Sequence, residues 1–150
     1  ERRLREERVA GVFPRLAELR HRPAGLLSGG ERQMLAIASG LVSNPELLMV
    51  DELSLGLAPL VVDDLMARLM EIKRGFGITL MLVEQNAAVA LEVADYSYVL
   101  ENGRIVLDGD SARLRSHPDI QEFYLGQARS GARRSYRDVK QYRRRRRWYG

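Results

Sequence analysis

Three short runs in this chain combine residues that can handle phosphate, a hard cation and protons. The first is Leu27-Ser28-Gly29-Gly30-Glu31-Arg32-Gln33. A serine and two glycines open onto helix-forming residues, and a helix N-terminus presents unpaired N–H groups and partial positive charge. The glycines let a phosphate approach the backbone, and Ser28 adds a hydroxyl donor. The same letters allow a plainer reading, because Ser28 and Glu31 have the S-x-x-E spacing of a capping box; the two can coexist. The second run is Leu47-Leu48-Met49-Val50-Asp51-Glu52, an apolar strand ending in two carboxylates. Open α/β sheets bind ligands at the carboxyl ends of their strands. Neighbouring side chains on a strand diverge, so the two acids can take separate tasks. Asp51 suits Mg²⁺, a hard cation that takes oxygen ligands. Glu52 suits the orientation and deprotonation of a water. The plain alternative is a pair of solvated acids. The third run is Val83-Glu84-Gln85-Asn86, again at a strand end, where Gln85 can point at a phosphate and Asn86 can cap a helix.

Several elements must position these groups. Val9 to Leu19 carries apolar residues at 9, 12, 13, 16 and 19, a helical stripe interrupted by Pro14. His21 to Gly25 reads as a loop. Glu31 to Val42 reads as a helix burying Met34, Leu35, Ala38, Leu41 and Val42, with Asn44-Pro45 ending it. The continuous apolar runs 47–50 and 78–83 predict strands covered on both faces, as in a parallel sheet. Between them Pro59 to Arg74 predicts a helix with Pro59 in its first turn and Gly75 at its end. Strand, helix and strand form one βαβ unit. A helix over 87–94 follows. Then Tyr96–Leu100 and Arg104–Leu107 flank Asn102-Gly103, a hairpin signal. Short helices near 110–115 and 118–125 close the body.

Composition narrows the classes. With 150 residues, 45% hydrophobic and 29% charged, the chain is one domain's length and can bury a core. No run approaches the ~18 apolar residues of a membrane span. There is no Cys, which excludes disulfides, Cys-ligated zinc and thiol catalysis, and two His leave little for a His-rich metal site. The first Met is Met34, from which loss of an N-terminal piece is expected. The net charge of +4 is unevenly spread. Residues 129–150 hold ten basic residues and one acid, Asp138, while residues 1–128 hold fourteen basic and nineteen acidic residues. An acidic body with a basic tail argues against nucleic acid as the main partner. The tail, ending in Arg143 to Arg147, Trp148 and Tyr149, reads as a disordered, solvated end. Contact with anionic lipid head groups is the sharper reading, and a nucleic-acid arm ranks third.

In order, LSGGERQ, LLMVDE, SLGL and LVEQN resemble the signature motif, Walker B, D-loop and switch loop of the ATP-binding cassette (ABC) ATPases. SLGLAP, LVEQNA, YVLENGRIVLDG and the Tyr124-Leu125-Gly126 ending make the chain similar to the ATPase subunits of branched-chain amino acid importers. The implied fold class is α/β: a partial P-loop NTPase core with a mostly parallel sheet plus a helical subdomain. The helical subdomain would cover about 1–43, the core part about 44–128, and the basic tail 129–150. The resemblance implies ATP and Mg²⁺ as ligands. Ser28, Gly29, Gly30 and Gln33 would be nucleotide-binding, the first three against the γ-phosphate of ATP on an opposite subunit. Asp51 would serve Mg²⁺, Glu52 would be the general base, and Gln85 would take the switch position. Most family members have His there; Gln can donate a hydrogen bond but cannot shuttle a proton. The family usually has Pro after the catalytic Glu, and Leu53 is expected to loosen that turn.

The family's phosphate loop, G-x-x-x-x-G-K-[ST], has no counterpart here: the only lysines are Lys73 and Lys140, and neither follows a Gly. The expectation is an N-terminally truncated subunit that alone binds MgATP poorly and does not hydrolyse it. A vacant sheet position with exposed apolar surface is also expected, and with it marginal stability or self-association. Implied partners are a second ATPase subunit, as homo- or heterodimer, and membrane permease subunits, at the inner face of the plasma membrane. Two other readings stand beside this one: a non-catalytic fragment donating only the signature motif, and a soluble, non-transport ABC protein.

Overall fold

The computed structural model describes residues 2–125, so the tail and its lipid or nucleic-acid contacts lie outside the described residues. The chain divides into two compact units, Glu1–Asp95 and Tyr96–Gly150.

The first unit begins with two short helices, α1 (Arg2–Val12) and α2 (Pro14–Glu18). Pro14 starts the second helix because it lacks an N–H to donate to the first. A 3-10 turn over Ala24–Leu26 leads to α3 (Gly29–Val42). Then come β1 (Leu47–Asp51), α4 (Pro59–Phe76), β2 (Thr79–Val83) and α5 (Ala87–Val93). β1 and β2 pair in parallel, Leu47 opposite Thr79 through Asp51 opposite Val83. The βαβ unit read from the sequence is therefore present.

α4 is the spine of this unit. Val62, Leu65, Met66, Leu69 and Ile72 recur at helical spacing and are buried. They meet Val9, Phe13, Ile37, Leu41, Val50 and Leu53 in one core. Arg8 stacks its guanidinium over the Phe76 ring at 4.1 Å and donates to the Gly75 carbonyl. Lys73 pairs with Asp95.

Three details depart from the sequence reading. α4 runs through Gly75 and ends at Gly77, whose φ of +62° supplies the left-handed C-terminal turn. On α3 the buried row is Gly30, Ile37, Ala38 and Leu41, while Leu35 is exposed. Gly40 explains the rotation: a Cβ there would lie 3.2 Å from Leu48, so the helix approaches β1 on that side. Among the described residues the strands are covered on one face only. Leu48, Val50, Leu80 and Leu82 belong to the core or pack on it, whereas Leu47, Met49, Met81 and Val83 are 47–65% exposed. Continuous apolar runs predicted two covered faces, and in this chain the second cover is missing from the described residues.

The second unit is a β-hairpin with two short helices. β3 (Tyr96–Glu101) pairs antiparallel with β4 (Arg104–Asp110), with an irregularity at Val99/Leu100. Asn102 and Gly103 have φ of +49° and +72°, the two positive values that a type I′ turn requires. α6 (Ser111–Arg115) is capped by Asp110, and α7 (Pro118–Phe123) by His117. Ser111 is buried and its hydroxyl lies 2.6 Å from that of Ser97, tying α6 to β3. Among the described residues no helix is long and apolar enough to cross a membrane.

Candidate functional site

The carboxyl ends of β1 and β2 lie side by side, and this places the second and third sequence runs together. The Gln85 side-chain amide donates to Glu52 Oε1 at 2.5 Å, across 33 positions of sequence. Asp51, the last residue of β1, is exposed beside this pair. The turn after β1 is unusual. Glu52 has a φ of +47°, in the left-handed region, and the other two non-glycine residues found there among the described residues are both Asn. A Glu in that conformation costs about 1–2 kcal/mol, so its surroundings must impose it. They do so from several sides. The Glu52 N–H donates to the Val83 carbonyl at 2.9 Å, and the Leu55 N–H donates to the Glu52 carbonyl at 3.2 Å. Leu53 is 1% exposed. The sequence led us to expect a looser turn at Leu53, which lacks a Pro ring's restraint on φ; the side chain that stands there is buried in the core.

Glu84 is a residue that the sequence reading passed over. Its Oε1 accepts from the Ser54 N–H at 2.9 Å and its Oε2 from the Ser54 hydroxyl at 2.5 Å. An acid at a strand end, next to a candidate polar residue, was the available signal. Asn86 caps α5 through its Oδ1, which accepts from Ala88 and Val89. The plain reading of Asn86 therefore holds.

The first run is a separate surface at the start of α3. The capping box is fully formed: Ser28 Oγ accepts from the Glu31 N–H at 3.3 Å, and Glu31 Oε2 accepts from the Ser28 N–H at 2.9 Å. This occupies the N–H groups of Ser28 and Glu31. Those of Gly29 and Gly30 make no hydrogen bond among the described residues. Ser28 is exposed, and because its oxygen acts as acceptor its O–H remains able to donate. The capping reading therefore holds, and the capping box leaves these donors open, so the two readings do not conflict. Among the described residues Ser28 bonds only within this turn, and Gln33, one turn further on, is half-buried; neither is joined there to Glu52 or Gln85.

Gly30 has a second reason to be glycine. It is buried, and a Cβ there would stand 2.6 Å from Val61 Cγ1 on α4. Val61 is stiff at χ1 and cannot swing away cheaply. Gly30→Ala is expected to lower stability by about 1–3 kcal/mol, despite the better helix propensity of Ala. Urea unfolding without nucleotide checks this, and an unchanged midpoint would sink it. Gly29 approaches Leu57 similarly, at 3.1 Å.

The Glu31 carboxyl is held below the ordinary carboxylate range, chiefly by the Ser28 backbone N–H; burial opposes this, and the Ser28 hydroxyl and Arg15 add to the lowering. A depressed folded-state pKa adds stability at pH above the unfolded value and loses it as pH falls through the folded value. Glu31→Gln should therefore flatten the acid limb of a stability–pH curve and leave the alkaline limb unchanged. Urea midpoints across about pH 3 to about pH 7 measure it.

Among the described residues no three His, Asp or Glu side chains gather as a metal site. The donor set nevertheless fits Mg²⁺ in a nucleotide complex, because that ion is held by one or two carboxylates, its own waters and phosphate oxygens. Exposed Asp51 is the candidate ligand.

Known proteins match this picture. A family model described as ABC transporter matches residues 5–54. The chain is 48% identical over 120 residues to the high-affinity branched-chain amino acid transport ATP-binding protein BraG of Pseudomonas aeruginosa, covering 80% of this chain and 51% of BraG. It is 38% identical to a probable branched-chain amino acid transport ATP-binding protein, LivF, of Archaeoglobus fulgidus, covering 77% of this chain and 49% of that protein. The chain thus spans about half the length of the curated relatives it matches. A crystal structure of an ATP-binding cassette of an ABC transporter, in its ADP conformation, superposes with a TM-score of 0.69 at 30% identity, covering 81% of this chain and 49% of that one. With the ordered run of motifs and the likeness to those cassettes over about half of their length, residues 5–54 carry part of an ABC transporter ATP-binding domain.

Proposed function

We propose that this chain contributes the hydrolytic half-site and the signature motif of an ATP-hydrolysing subunit in a branched-chain amino acid importer. The observation that carries the reading is the 2.5 Å bond from Gln85 to Glu52 at the ends of two paired parallel strands. The bond leaves the second Glu52 oxygen able to accept a proton from water. Gln85 keeps its second amide hydrogen for a γ-phosphate oxygen. Asp51 would hold the cation, which would supply neutralisation of charge on the phosphates. Ser28, Gly29 and Gly30 donate from the tip of α3 to ATP on a second ATPase subunit, and Gln33 lines the same nucleotide surface. The mechanism is phosphoryl transfer to water, in which the protein positions groups and stabilises charge.

The phosphate-loop lysine must come from outside these 150 residues, so the chain alone does not turn over ATP. Its partners are the second ATPase subunit and membrane permease subunits, and its place is the cytoplasmic face of the membrane. The names of BraG and LivF support the amino acid class. The test is a hybrid in which this chain replaces the matching half of BraG. The expected result is ATP hydrolysis by the hybrid; a folded hybrid without hydrolysis overturns the reading.

A further inference from the structure

We propose that Glu84 is a positioning residue: by gripping Ser54 it fixes the turn that carries Glu52 and so aims the Glu52 carboxylate at Gln85. The proposal rests on the reading of Glu52 as the general base, and it adds a residue to that machinery.

Two adjacent residues at the end of β2 hold two residues of the turn after β1. Gln85 donates to Glu52, and Glu84 accepts twice from Ser54. Both Glu84 oxygens are engaged there, at 2.9 and 2.5 Å, so Glu84 acts here as a clamp on the turn. Glu84 and Ser54 are both half-buried, where a charge-assisted bond is less exposed to competing water than on the surface. The turn needs such a clamp because Glu52 sits at a φ of +47°, a conformation from which a non-glycine residue relaxes unless held. Leu53, buried in the core, anchors the turn from below; Ser54, tied to Glu84, anchors it one residue later. Release of Ser54 frees ψ of Leu53 and the following loop, and the error is carried back to Glu52. A displacement of about 1 Å at a general base is enough to impair proton transfer.

The test uses the full chain, without nucleotide, and reads the Gln85 side-chain amide by ¹⁵N NMR. In the native chain, Glu52→Ala is expected to shift that resonance, because it removes the acceptor. In a Glu84→Ala background the same substitution is expected to lose most of its effect on Gln85, while backbone shifts in the core stay native. In a Glu84→Gln background the response is expected to survive. Gln can accept from the Ser54 N–H and donate to the Ser54 hydroxyl, which keeps both contacts with reversed polarity at the hydroxyl. If Glu84→Ala does not fold, Ser54→Ala removes one of the two bonds and is expected to weaken the response partially. An undiminished response in Glu84→Ala or in Ser54→Ala overturns the proposal, as does its loss in Glu84→Gln. A change in melting temperature alone, with the coupling intact, also overturns it. Because no hydrolysis is measured, this outcome is distinguishable from failure of the Glu52 assignment in the BraG hybrid.

Discussion

In the BraG hybrid, Glu52→Gln is expected to lower the rate of ATP hydrolysis by about 10²–10⁴-fold, the range that a positioned general base contributes. The substitution suits the question because it changes little else. The amide oxygen of the replacement side chain can still accept from Gln85, so the 2.5 Å contact and the left-handed turn have no reason to change. What disappears is a carboxylate able to take a proton. Phosphate release measured under saturating MgATP reads the effect in kcat, and nucleotide affinity is expected to stay close to that of the parent. Equal rates for the two proteins would remove Glu52 from the mechanism.

Leu69→Ala is expected to cost the first unit about 2–5 kcal/mol. Leu69 is 0% exposed and lies at the middle of the buried face of α4, between Leu65 and Ile72. The core around it is built from helix and strand alike, so the space left by the missing atoms cannot close without moving several elements. Domains of this size commonly retain only about 5–15 kcal/mol in total. The loss is therefore a large share of what is available, and the urea midpoint should drop far more than for a substitution at exposed Leu60. A drop of similar size at both positions would contradict the described core.

The sequence made the order of elements legible because its signals were local. Ser28 with Glu31 announced a helix start, Pro59 another, and Asn102-Gly103 a hairpin, and each occurs as read. The C-terminal end of α4 was harder: Gly75 was read as the stop, and the positive φ that ends the helix belongs to Gly77. The buried face of α3 was misplaced at Leu35 because close approaches at Gly30 and Gly40 decide the rotation, and partner helices and strands are not visible in periodicity. The contact of Glu52 with Gln85, not named from the sequence, followed once the two strand ends were neighbours. The grip of Glu84 on Ser54 did not, since it joins positions 30 apart through a turn whose torsion no residue type declares. Gly30 was assigned to phosphate on its smallness; the structure gives that smallness an independent cause in Val61.

The backward-bent turn at Glu52 sets two demands against each other at one residue. A glycine there would relax the chain, and the fold would be sturdier for it by roughly 1 kcal/mol, if only torsion counted. The chemistry proposed for this position asks instead for an acid. A population of variants selected for resistance to heat should accordingly drift toward Gly or Asn at this position, and one selected for turnover should be driven back to Glu.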